Sequence, residues 1–149
     1  MDNAHQKRAG FTLVEILVVI VILSILATLV AVNVIRQPGE ARVAAAKIQI
    51  KQLQTALQVY RTEQGRYPTQ DQGLEALVRK PQTGIIPERY PSDGYLESRE
   101  VPRDPWKNDY IFIAPGRNGE SYEIISYGSD GEPGGVDDAS DISSSDPAN

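Results

Sequence analysis

The sequence predicts an α+β fold: a long N-terminal helix whose first half lies in a membrane, with its second half packed on a small head containing an antiparallel sheet. Three observations predict it. Residues 11–35 are apolar apart from Thr12, Glu15, Ser24, Thr28 and Asn33. Beyond them, apolar residues recur at helical spacing as far as Tyr60. Nearer the C-terminus, two runs rich in β-branched and aromatic residues flank a glycine-containing turn.

Taken in order, residues 1–10 form a short polar leader with Lys7 and Arg8 directly ahead of the apolar block. As a helix the block would extend about 37 Å at 1.5 Å per residue, enough to cross a hydrocarbon core of about 30 Å. The basic residues on its N-terminal side place Met1 in the cytoplasm and everything after Arg36 in the periplasm. A secretory signal peptide fits poorly. Its apolar region would be shorter and would end at a small-residue cleavage site, whereas here the Gly10-Phe11 junction stands in front of the block.

Pro38 and Gly39 predict a kink or a locally open turn. Val43, Ala46, Ile50, Leu53, Leu57 and Tyr60 then alternate spacings of three and four, which makes one apolar helical stripe, with Ala45, Ile48, Ala56 and Val59 alongside. The stripe ends near Gly65 and Pro68, so residues 36–65 form the periplasmic half of the helix and residues 66–149 the head. Thr69 followed by Gln72 has capping-box spacing, and Leu74, Ala76, Leu77 and Val78 suggest a short helix ending before Pro81. Tyr110–Ala114 and Tyr122–Tyr127 predict two antiparallel strands around Asn118-Gly119, and a third strand nearby stays open. From Gly128 to Asn149 the chain is rich in Gly, Ser and Asp, with no helical or strand period.

Composition narrows function. The chain has 149 residues and no cysteine, so after subtraction of the span it buries only a small core and has no disulfide, thiolate zinc site or cysteine nucleophile. The single histidine, His5, lies in the leader. Without the leader no imidazole remains for a Ser-His pair, and no enzyme is predicted. Net charge is −5, and after Arg117 there is no Lys or Arg, while Glu120, Glu123, Asp130, Glu132, Asp137, Asp138, Asp141 and Asp146 follow. Such a tail repels nucleic acid and attracts cations. On composition alone a solvated, disordered terminus is the better reading of it.

Glu15 is the anomaly. An ionised carboxylate inside a bilayer costs on the order of 3 kcal/mol and persists where it is paired or functional. If the chain is cut after Gly10, the new α-amino group of Phe11 on a neighbouring subunit supplies the pairing charge. The alternative is that Glu15 stays solvated among the headgroups.

Gly10-Phe11-Thr12-Leu13-Val14-Glu15, placed after a basic leader and running into an apolar span, resembles the class III signal of type IV prepilins and pseudopilins. The resemblance implies a type IV pilin-like fold, cleavage between Gly10 and Phe11 by prepilin peptidase, N-methylation of Phe11, and a requirement for Glu15 in filament assembly. Val32 stands where many relatives carry a helix-bending proline. In the head, Tyr67-Pro68-Thr69, Gln72-Gly73-Leu74-Glu75-Ala76-Leu77, Asp93-Gly94-Tyr95-Leu96, Pro102-Arg103-Asp104-Pro105-Trp106 with Asn108 and Tyr110, and Tyr127-Gly128-Ser129-Asp130-Gly131-Glu132 resemble the major pseudopilins of type II secretion systems. Lys107 and Asp109 depart from the Gly and Pro often found there, which leaves the turn after Trp106 open. Trp106 itself is expected in the core, and Asp104 in a turn or cap.

This resemblance implies a homopolymer, the periplasmic pseudopilus, anchored in the inner membrane of a Gram-negative bacterium. Its implied partners are minor pseudopilins, prepilin peptidase and the inner-membrane assembly platform with its ATPase, and its growth drives folded proteins through the outer membrane. It also implies a Ca2+ site in the loop after the last strand. Asp130 and Asp137 would be its side-chain ligands and Tyr127 and Val136 its backbone-carbonyl ligands, with Asp138 and Asp141 as further candidates. A type IV pilin and a minor pseudopilin are the alternatives. Fibre-forming pilins commonly carry a C-terminal disulfide that this chain cannot make.

Overall fold

The computed structural model describes residues 12–146, with the side chains of residues 28–38 outside that description. Its elements are helix α1 (Leu13–Gln64), a 3₁₀ helix (Leu74–Leu77), strands β1 (Ile111–Ile113) and β2 (Glu123–Ser126), a second 3₁₀ turn (Asp137–Ala139) and strand β3 (Ile142–Ser143). The chain divides into two compact units between Pro38 and Gly39. Helix α1 is assigned through both residues, where the sequence suggested a kink or an open turn.

In the first unit the large apolar side chains described from Leu13 to Leu26 are exposed on every face of the helix, a pattern that needs an apolar environment supplied from outside. Among the described residues no helix is long and apolar enough to cross a membrane. The predicted span lies partly outside them, at Phe11 and at the side chains of residues 28–35.

In the second unit the stripe does what its spacing predicts. Ala46, Ile50, Leu53, Ala56, Leu57 and Tyr60 are buried, and Val43 packs at the margin of the same cluster. Ile48 and Val59, which flank the stripe in sequence, are exposed, because a 3.6-residue turn carries them round to the other face. The helix stops at Gly65, whose φ of 74° lets its N–H close on the Arg61 carbonyl at 2.8 Å. This is the left-handed glycine end that other residues adopt only with strain.

The predicted short helix is a single 3₁₀ turn. The 3₁₀ turn has no side-chain cap; Gln72 instead closes the turn just before it, its Oε1 accepting the Thr69 N–H at 3.1 Å. The buried amide also donates from Nε2 to the Thr83 carbonyl at 2.8 Å, so it joins the Thr69–Gln72 turn to the irregular segment beyond. That segment is held by tyrosines. Tyr95 stacks edge-on to Tyr60 at 5.1 Å and to Tyr90 at 5.4 Å, and its hydroxyl donates to Glu63 at 2.9 Å. Burial raises the hydroxyl pKa of Tyr90 and Tyr95 to about 12. Gly94 lies so close to the Leu77 carbonyl that a Cβ would stand 2.7 Å from it, and this close approach admits the Tyr95 N–H to the same oxygen.

The sheet is antiparallel in the order β1-β2-β3. Ile111 pairs with Ile125, Phe112 with Ile124, and Ile113 with Glu123. Both strands are shorter than predicted at their ends. β3 lies in the tail, where no strand period was visible: Ile125 pairs with Ser143 and Ser126 with Ile142. With only two residues, β3 is specified by the open edge of β2 rather than by a pattern of its own. Trp106, expected in the core, is partly buried and packs against it.

After Trp106 the chain turns tightly, the Lys107 N–H donating to the Asp104 carbonyl and the Asp104 N–H to the Asn108 carbonyl, each at 2.9 Å. Lys107 occupies the left-handed region with φ 76°. The turn is therefore kept, with a side chain where glycine would be unstrained. We expect Lys107→Gly to raise stability by about 1 kcal/mol or less, the gain being limited by the flexibility glycine adds to the unfolded chain. Denaturant titration of the parent and variant measures this, and an unchanged or lower midpoint would contradict the strain argument.

A second expected outcome comes from Glu123, buried in the central strand. Its carboxylate accepts from Arg117 Nε at 2.8 Å and Nη2 at 2.7 Å, and from Ser143 Oγ at 2.7 Å. The Arg117 hydrogen bonds hold its pKa near 2, against the opposing effect of burial, with Ser143 assisting. A depressed carboxylate stabilises the fold above its unfolded pKa of about 4.5 and loses that contribution as pH falls through the folded value. Arg117→Ala should thus lower the thermal midpoint by several degrees at pH 7, and the deficit should shrink between pH 4.5 and pH 2. Thermal melts across that range test it, and a deficit independent of pH would exclude the ion pair as its cause.

Candidate functional site

The first site is the start of α1. Thr12 caps the helix, its Oγ1 accepting the Glu15 N–H at 3.2 Å while its carbonyl accepts the Ile16 N–H at 3.3 Å. Thr12-Leu13-Val14-Glu15 therefore has capping-box spacing with the Thr12 half of the box formed, a local role of Thr12 that the spacing signals. Glu15 sits in the first turn, where the helix dipole favours a negative charge. Gly10 and Phe11, the predicted cleavage residues, lie outside the described residues.

The second is the loop from Tyr127 to Asp141. Its course depends on left-handed residues, among them Gly134, Gly135 and, unusually, Asp137 with φ 53°. Gly135 has to be glycine, because a Cβ there would overlap the Ala139 carbonyl. The Ser129 N–H donates to the Asp138 carbonyl at 2.9 Å, closing the loop on itself. Asp130 and Asp137 are exposed. Asp130 Oδ1 accepts the Glu132 N–H at 3.1 Å, which leaves its second oxygen available. Asp141 Oδ1 accepts the Gly134 N–H at 2.9 Å, and the Val136 carbonyl accepts the Ala139 N–H at 3.1 Å. The Asp138 carboxylate lies against Gly39 of α1, whose missing side chain makes room for it. A glycine inside a helix costs about 1 kcal/mol relative to alanine, and this contact gives a reason for tolerating it.

These donors suit a hard cation. They are all oxygens, carboxylate or carbonyl, and among the described residues neither Asp130 nor Asp137 has a cationic partner. Among the described residues no group of three His, Cys, Asp or Glu is gathered to hold a metal ion. A site here would thus depend on backbone carbonyls as well as carboxylates. Glu123 does not belong with the acidic loop, because Arg117 already neutralises it.

Sequence reasoning also missed how the Asp104 turn connects to this loop. Asp104 is buried. Its Oδ1 accepts the N–H groups of Trp106 at 3.0 Å and Asn108 at 2.8 Å. Its Oδ2 accepts the Ser126 hydroxyl at 2.6 Å. Aspartate between prolines signals a turn, as expected, but nothing in the sequence signals the bond to a serine on β2.

Comparison with known proteins agrees with this architecture. The profile of the family "Type II secretion system (T2SS), protein G" matches residues 33–145, and that of the prokaryotic N-terminal methylation motif matches residues 5–31. The type II secretion system core protein G of Pseudomonas aeruginosa is 45% identical over 138 residues, covering 93% of this chain and 95% of the relative. That of Vibrio cholerae is 42% identical over 137 residues, covering 92% and 91%. Among solved structures, the major pseudopilin from the type 2 secretion system of enterohaemorrhagic Escherichia coli superposes with a TM-score of 0.64 at 37% identity, over 75% of this chain and 93% of that one. A helix and a small three-stranded antiparallel sheet are thus shared with a solved relative, and this chain belongs to the protein G family of type II secretion systems.

Proposed function

We propose that the chain is the major pseudopilin subunit that polymerises into a periplasmic pseudopilus and drives protein export across the outer membrane. The observation that carries this reading is the first unit: a helix with apolar side chains exposed on every face, capped by Thr12 and carrying one carboxylate, Glu15, in its first turn. Such a surface suits lipid before assembly and neighbouring helices afterwards. The helix anchors the subunit in the inner membrane, and the head stands in the periplasm. Prepilin peptidase cuts between Gly10 and Phe11, and Phe11 becomes N-methylated. Its charged amino group then pairs with Glu15 of an adjacent subunit, which removes both charges from lipid and selects one axial register. Minor pseudopilins and the ATPase-driven assembly platform are the partners of that step. The role is mechanical rather than catalytic.

The loop after β2 holds Ca2+ in the same reading, through Asp130 and Asp137 and the carbonyls of Tyr127 and Val136. Asp141 and Asp138 are further candidates: Asp141, like Asp130, has one oxygen bonded to a backbone N–H, and Asp138 lies against Gly39. When bound, the ion neutralises carboxylates that would otherwise repel one another. The chain's own contribution is the left-handed residues that set the course of the loop carrying these oxygens.

The capping box sharpens the test of Glu15. Glu15→Gln keeps the capping pattern, which accepts either residue, and removes only the charge. We expect Glu15→Gln and Glu15→Ala to be cleaved and inserted but to form no filaments and to support no secretion. Filament electron microscopy and a secretion assay measure this, and normal assembly of Glu15→Gln would exclude charge pairing as the assembly determinant.

For the ion, extracellular-type sites bind with Kd of about 0.1–1 mM, and at ten times Kd binding adds about 1.4 kcal/mol to stability. Asp130→Ala or Asp137→Ala should lower the thermal midpoint in millimolar calcium, and chelation should lower the parent while leaving the two variants nearly unchanged. Any loss from Asp146→Ala, whose Oδ2 accepts the Ser143 N–H at 3.1 Å, should be the same with and without calcium. A parent midpoint that chelation does not change would contradict the ion reading.

A further inference from the structure

We infer that Asp104 and Asn108 form a clamp that fixes the entry of the acidic loop to the sheet, acting as positioning residues for it rather than as ligands. The clamp closes on Gly128. Asn108 Nδ2 donates to the Gly128 carbonyl at 2.8 Å, and the Gly128 N–H donates to Ser126 Oγ at 3.3 Å. Ser126 Oγ in turn donates to Asp104 Oδ2 at 2.6 Å. Both backbone polar groups of one buried residue, Gly128, are thereby tied to a single turn, the carbonyl directly and the N–H through Ser126, and the turn is itself fixed by the hydrogen bonds that Asp104 Oδ1 accepts from Trp106 and Asn108. Gly131 packs on the Asn108 side chain as well, at a distance where an added Cβ would sit 3.4 Å from it.

The consequence is positional. Tyr127 precedes Gly128, and Asp130 follows it by two residues, so the clamp determines where the Tyr127 carbonyl and the Asp130 carboxylate leave the sheet. Groups that orient ligands without touching the ion typically change affinity ten- to a hundredfold when lost. Asp104 is buried and holds three hydrogen bonds, so its removal perturbs the fold as well. Asn108 offers a cleaner test: Asn108→Asp has the same shape but presents an acceptor where Nδ2 donates.

The calcium arm of this inference rests on the proposed ion site, and the loop-order arm does not. The experiment uses the full chain in detergent micelles. Amide hydrogen exchange in chelator is compared between parent and Asn108→Asp, and calcium is then titrated calorimetrically into both. We expect exchange across residues 127–131 to rise at least tenfold in the variant while Ile124 and Ile125 stay protected, and calcium affinity to fall about tenfold. Unchanged exchange at 127–131 would overturn the clamp. Faster exchange with undiminished calcium affinity would overturn its positioning role. A parent that binds no calcium would overturn the ion reading, and the exchange comparison would still decide the clamp.

Discussion

The head depends on one stripe of α1. Ala46, Ile50, Leu53, Leu57 and Tyr60 bury a single helical face, and the same cluster contains Leu74 and Leu77 from the 3₁₀ turn and Phe112, Ile124 and Ile142 from the three strands. A core of this size cannot specify a unique arrangement by apolar packing alone, because many packings of a few aliphatic side chains are close in energy. Buried polar groups supply what is missing. Gln72 joins the Thr69–Gln72 turn to the irregular segment, Glu123 joins the hairpin loop to β3, and Asp104 joins the Trp106 turn to β2. Each is satisfied by several partners, and displacing any of them would leave a buried carboxylate or amide unpaired, which costs more than the hydrogen bonds contribute net.

How much was legible in the sequence follows from the same division. The stripe was legible because 3.6-residue periodicity over five turns has few competing explanations, and the hairpin because β-branched runs flank a glycine turn. Ile142–Ser143 was not, since two residues carry no period and their pairing is decided by the exposed edge of a strand far away in sequence. The partners of Glu123 and Asp104 were equally hidden. A carboxylate in an acidic tail and an aspartate between prolines look like surface residues until tertiary contacts bury them. Lys107 shows the reverse case, where the expected turn is present and the departure from glycine is absorbed as backbone strain. At the N-terminus the capping-box spacing of Thr12 and Glu15 is legible in the sequence, and the structure shows Thr12 Oγ1 accepting the Glu15 N–H.

The two units meet different needs with one helix. Residues that face the head obey a stripe, whereas the large apolar side chains from Leu13 to Leu26 are exposed on every face, which the proposed passage from lipid to neighbouring copies would require. A polymer subunit requires both: a head that stays folded while it is moved, and a helix whose surface is complete only among others. The acidic loop and its clamp belong to the first requirement, and the single carboxylate near the helix start belongs to the second.

The most direct test of this account is electron microscopy of filaments from cells that overproduce the chain together with its assembly machinery, combined with intact-mass measurement of the isolated material. The account predicts thin filaments composed of this chain, lacking Met1 to Gly10 and beginning with methylated Phe11. A processed chain that remains dispersed in the membrane under those conditions, or filaments built from unprocessed chains, would contradict it.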